Sequence, residues 1–105
     1  GGDFDYPIAG LNCPSEVDPP TTITFDGRTS SDPNGYEPLT YHWTVANKPV
    51  ASSTDFEAQG FESSTFFVDA AGQYTVELVV ENSVGLFSDP ASCTFTAIPD
   101  EAIQV

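Results

Sequence analysis

The chain has 105 residues, which suits a single domain with a modest core. Sixteen Asp and Glu face two cations, Arg28 and Lys48, for a net charge of −14. Nucleic-acid binding needs cations to displace the counterions of phosphates, so the balance excludes it, and direct insertion into an anionic membrane surface is disfavoured on the same grounds.

Residues 1–6 are small, acidic or aromatic without period. They read as a tag remnant or linker ahead of a domain spanning 7–98. Pro7–Cys13 is a predicted edge strand, opened by a proline that an edge tolerates. Pro14–Pro20 is a polar connection. Thr21–Asp26 alternates, with Ile23 and Phe25 inward and the threonines outward. A long turn region follows, Gly27–Pro38. Within it, Asp32-Pro33-Asn34-Gly35 has the residues of a type I turn.

Leu39–Val45 is the next predicted strand. Leu39, Tyr41, Trp43 and Val45 share a face, and Trp43 takes the place of a core indole. His42 lies on the opposite face with Thr40 and Thr44, as an exposed strand residue. Thr54–Gly60 reads as a weak strand and Ser64–Val68 as a better one, burying Phe66 and Val68. Asp69-Ala70-Ala71-Gly72 is a turn, in which Gly72 can take positive φ without steric cost. The strand after it places Tyr74, Val76, Leu78 and Val80 on one face and Gln73, Thr75 and Glu77 on the other. An Asp and a Gly just before a Tyr at a strand start fit a tyrosine corner. Glu81–Gly85 is a hairpin connection. Ala91–Ile98 is the last strand, with Cys93, Phe95 and Ala97 on one face. Residues 99–105 read as an acidic linker towards a next domain. The pattern predicts an all-β, immunoglobulin-like antiparallel sandwich of about seven strands with Greek-key connections.

Cys13 and Cys93 have no second Cys or His at metal-ligand spacing. The reading favoured over two buried free thiols is a disulfide between the first and last strands. Closing so long a loop stabilises by roughly 4–5 kcal/mol in the chain-entropy model. Such a bond needs an oxidising compartment, and so an exported location: extracellular, cell-surface or periplasm-facing.

Thr24-Phe25-Asp26-Gly27, then Ser30-Ser31-Asp32-Pro33-Asn34-Gly35, then Pro38-Leu39-Thr40-Tyr41-His42-Trp43 resembles the signature of a PKD domain. Asp69 to Val80 and Gly85 continue it in order, so the resemblance spans about Pro7 to Ile98. It implies a seven-stranded sandwich in a multidomain surface or secreted protein, acting as a spacer or helping to bind insoluble substrate. Thr44-Val45-Ala46-Asn47 departs from the aspartate- and glycine-rich segment that follows the Trp in many members. The two cysteines lie outside the family's core pattern.

The resemblance also supplies candidate calcium ligands, Asp32, Asn34 and Asn82, with Glu81 adjacent. Calcium takes six to eight oxygens, and two of these three side chains are uncharged amides. The alternative is a turn in which Asp32 caps backbone N–H groups. Tyr36, Phe56 and Phe61 form a candidate binding surface for extracellular protein or polysaccharide. Phe87 is expected in the core. With a single His and neither Gly-x-Ser-x-Gly nor His-Glu-x-x-His, no nucleophile–base pair emerges, so the chain is expected not to be an enzyme. The expected state is a monomeric, non-catalytic extracellular module that contacts its neighbouring domains. The alternatives are a substrate-binding accessory module and a calcium-stabilised adhesion domain.

Overall fold

A computed structural model describes residues 5–57 and 59–99. Residues 1–4 of the expected leading segment and 100–105 of the expected exit linker lie outside them. The described residues are all-β, with six strands: β1 (Glu16–Val17), β2 (Thr21–Asp26), β3 (Thr40–Asn47), β4 (Ser63–Val68), β5 (Gly72–Glu81) and β6 (Ala91–Ala97). One sheet has the order β1-β6-β5-β3, and β2 pairs with β4 in the other. All pairings are antiparallel except β1 with β6.

β5 is the axis of the larger sheet. Tyr74, Val76, Leu78 and Val80 are all fully buried, as their parity requires. Trp43 pairs with Leu78 across β3–β5, and Tyr74 with Phe95 across β5–β6. The smaller sheet contributes Phe25, Phe66 and Val68, each at 0 % exposure. The two inner faces meet in an aromatic core. Tyr74 stacks on Phe95 at 5.1 Å, and Phe66 meets Tyr74 edge-on at 5.9 Å. Offset stacks and edge-to-face pairs suit the ring quadrupoles.

The tyrosine corner is present. The Tyr74 hydroxyl donates to the Ala70 carbonyl (2.6 Å) and accepts the Ala70 N–H (3.1 Å). Gly72 has φ +134°, and a Cβ there would sit 2.6 Å from Pro49 Cγ. The corner is therefore closed by the loop after β3, against which only a glycine fits. Cys13 and Cys93 form a disulfide with Cα atoms 5.4 Å apart.

Four expectations need correction. There are six strands among the described residues, not seven. The predicted edge strand Pro7–Cys13 forms only one bridge, Ile8 with Ser31. Farther along, Gly10 turns to a side chain, with Ser30 Oγ accepting its N–H (2.9 Å) and donating to its carbonyl (3.2 Å), and the Asn12 N–H makes a single long bond to the Asp26 carbonyl (3.4 Å). The first strand is instead β1, inside the stretch expected to be a connection, and Cys13 precedes it. The weak strand Thr54–Gly60 is irregular, with single bridges at Phe56 and Gly60. Phe87, expected in the core, is 51 % exposed. It opposes Glu81, whose parity on β5 is outward, so Phe87 faces outward beside His42 at 5.9 Å.

Candidate functional site

The segment between β3 and β4 carries the most exposed aromatic side chain near the strands. Phe61 is 66 % exposed, yet its backbone neighbourhood is held at three points. The Gly60 N–H donates to the Tyr41 carbonyl (2.9 Å), the Trp43 indole N–H to the Phe61 carbonyl (3.0 Å), and the Gly27 N–H to the Glu62 carbonyl (2.7 Å). The core indole thus has a second duty. It fills the centre of the sandwich and fixes the ledge from which Phe61 projects. Phe61 borders an open cleft of about 850 Å³, lined also by Arg28, Glu37, Leu39, Tyr41 and Glu62.

The charges in the cleft are uneven. Arg28 Nε lies 3.6 Å from both Asp26 and Glu62. Burial raises the Tyr41 phenol above its ordinary value, and Glu62, Glu37 and Asp26 raise it further by opposing a phenolate.

The other two members of the expected surface lie elsewhere. Phe56 is buried in the core, a correction to its expected place. Its ring is 5.0 Å from Phe66 and 5.4 Å from Trp43, contacts that an outward-turned ring would forfeit. Tyr36 is half-buried. Its N–H reaches Asp32 Oδ1 at 3.4 Å, and its carbonyl accepts the Ser83 N–H (3.1 Å).

The structure brings Asp32 and Asn82 together, 50 residues apart in sequence. Asn82 Oδ1 accepts the N–H groups of Val84 (3.1 Å) and Leu86 (2.8 Å). That fixes the amide, so its NH₂ faces Asp32 Oδ2 at 2.8 Å. Asp32 Oδ1 takes the Asn34 N–H (2.7 Å). Asn34 turns its own Oδ1 to the Asp5 N–H (3.1 Å). Burial pushes the Asp32 carboxyl up, but the bonds from Asn82, Asn34, Tyr36 and Gly35 together bring it below 3.8. The three candidate calcium ligands thus turn their oxygens to N–H donors. Asp32 meets an NH₂ of Asn82 where a cation would need an oxygen. Among the described residues, no three His, Cys, Asp or Glu groups could hold a metal ion.

A second carboxylate ties the tyrosine corner to the loop after β3. Asp69 accepts the Ser52 hydroxyl (2.6 Å) and the Ser53 N–H (2.9 Å). Those bonds, Ser52 first, outweigh desolvation and hold its carboxyl below 3.8. His42 lies 3.3 Å from Glu81 Oε1 on the outer face of the larger sheet.

No family model and no curated protein matches the chain. Solved structures do. The PKD1 domain of Vibrio anguillarum Epp matches with TM-score 0.66 and 19 % identity, over 92 % of this chain and 100 % of that one. The PKD domain of an M14-like peptidase from a Thermoplasmatales archaeon gives 0.65 and 22 %, with the same coverage. A nucleoside hydrolase-related hypothetical protein from Saccharophagus degradans, associated with carbohydrate metabolism, gives 0.76 and 17 %. That match takes in 91 % of this chain but 26 % of the other, so the chain spans about a quarter of that protein's length.

Proposed function

We propose that this chain, a domain with the PKD fold, works as a non-catalytic extracellular spacer and protein-contact module in a larger bacterial surface or secreted protein. The observation that carries the reading is Phe61, an exposed ring on a backbone fixed at three points. A backbone already held in place leaves less chain to be ordered on binding, so a ring carried on it suits contact with a partner. The disulfide supports an oxidising compartment. The large negative charge keeps copies apart, consistent with a monomer.

A second reading is an accessory module that holds polysaccharide or fibrous protein. It is favoured by the match to a segment of the Saccharophagus degradans protein, whose description mentions carbohydrate metabolism. Retention on cellulose, chitin and fibrous collagen separates the two. The spacer reading expects the chain to wash through. Retention that is lost in Phe61→Ala, with Tyr36→Ala as comparison, replaces it by the accessory reading. The calcium-stabilised reading is the least supported, given the N–H donors around Asp32. Unfolding curves in calcium and in EDTA are expected to coincide. A calcium-specific rise in Tm that disappears in Asp32→Ala would restore it.

A further inference from the structure

We propose that the cleft beside Phe61 receives an extended, arginine-bearing peptide segment of a partner protein. The inference rests on the contact-module reading and specifies its occupant. Two aromatic side chains, Tyr41 and Phe61, border the cleft together with Leu39. Two carboxylates of the lining, Glu37 and Glu62, stand there with one guanidinium, Arg28, and a third carboxylate, Asp26, already lies against that guanidinium. That guanidinium is divided between Asp26 and Glu62 at 3.6 Å and leaves Glu37 without a cation among the described salt bridges. A guanidinium plane stacks on aromatic faces and presents a fork that matches carboxylates, so one arginine uses both features of the cleft. A neutral sugar would use the rings and leave the carboxylate excess uncompensated; an acidic peptide would be repelled. At about 850 Å³ the cleft exceeds one side chain and has room for a short stretch of chain.

The test is an amide NMR titration of the whole 105-residue chain with tetra-arginine amide, and with cellohexaose in parallel. The largest shifts are expected at Arg28, Tyr41, Phe61 and Glu62 with the tetra-arginine probe. Phe61→Ala should weaken binding about fivefold, and Phe61→Tyr should preserve it. Glu62→Gln should weaken it more than Glu16→Gln, which removes the same charge from β1. Equal losses in Glu16→Gln and Glu62→Gln would mean attraction to bulk charge and overturn the proposal. Shifts at these residues with cellohexaose alone would overturn the peptide as occupant while keeping the cleft as a contact surface. Silence of the cleft to both probes would overturn the occupant too, and retention on insoluble polymers then decides the wider reading independently.

Discussion

β5 and the segment 48–62 both satisfy the backbone of neighbouring strands, by opposite means. β5 does so through a main-chain ladder on both sides, with β3 and β6. The segment 48–62 runs past the free edges of β3 and β4, pairs with them through isolated main-chain bridges at Phe56 and Gly60, and supplements these with side chains. Gln59 Oε1 accepts the Trp43 N–H (2.8 Å) while its NH₂ donates to the Trp43 carbonyl (2.6 Å), so one amide stands in for a strand residue. Thr54 donates its hydroxyl to the Phe67 carbonyl on β4, and Lys48 Nζ reaches the Thr54 carbonyl at 2.9 Å. Asn12 repeats the device on β2. Its Oδ1 accepts the Asp26 N–H (2.7 Å) and its Nδ2 donates to the Thr24 carbonyl (3.1 Å). A ladder extends a sheet; an amide ends it, because it offers no further edge for another chain to join.

The comparison can be broken most severely at Trp43 on β3, which meets both regions, pairing with Leu78 and bonded to Gln59 and Phe61. Trp43→Ala should cost about 3–5 kcal/mol, a large part of a small domain's stability. It also orphans the Phe61 carbonyl. The expected outcome is loss of the cooperative transition in chemical denaturation; a variant that melts near the wild-type midpoint would remove Trp43 from the centre of the fold. Gln59→Ala tests the amide alone. Water can replace its bonds at an exposed site, so the expected loss is only about 1 kcal/mol. The freed β3 edge should raise self-association, read by light scattering in high salt to screen repulsion between copies. A monomer at every concentration would show that the amide does not guard the edge.

The smallest expected effect lies at Asp69, the joint between the two regions. Its carboxyl is held below 3.8 in the folded state, chiefly by Ser52 and then Ser53. Its contribution is therefore present above 3.8 and lost as the pH falls through the folded value. Asp69→Asn should lower Tm at neutral pH and flatten its fall in acid, measured from about pH 6 to about pH 2. A fall as steep as that of wild type would assign acid sensitivity elsewhere.

The same contrast explains what could be read from the sequence. Tyr74, Val76, Leu78 and Val80 announce a strand because parity is local and burial imposes it residue by residue. The tyrosine corner and the position of Trp43 were legible for the same reason. Phe56 was not. Its burial depends on Phe66 and Trp43, which nothing in its own neighbourhood signals. Phe87 was misplaced because one turn, Asn82–Leu86, sets which face it takes. β1 has two residues, too few for a period, and its position is set by parallel pairing with β6. At the candidate site, Phe61 stood out as a loop aromatic, but its anchoring through the indole of Trp43 depends on three-dimensional proximity. Asp32 and Asn82 could be named as neighbours by resemblance, whereas the orientation of the amide follows only from the bonds that Val84 and Leu86 make to it.

The Cys13–Cys93 disulfide has a consequence for force. The two cysteines are 80 residues apart, and β1 to β5 lie wholly between them. Tension applied from both sides of the chain crosses at the sulfurs, so of the core strands it loads only the end of β6 beyond Cys93, with Phe95 and Ala97, and spares the rest. Even with the sandwich torn open, roughly 280 Å of extended chain would stay locked inside the loop, taking the extended rise per residue over that span. As a link between neighbours, the domain would behave as a nearly inextensible knot until its two sulfurs are reduced.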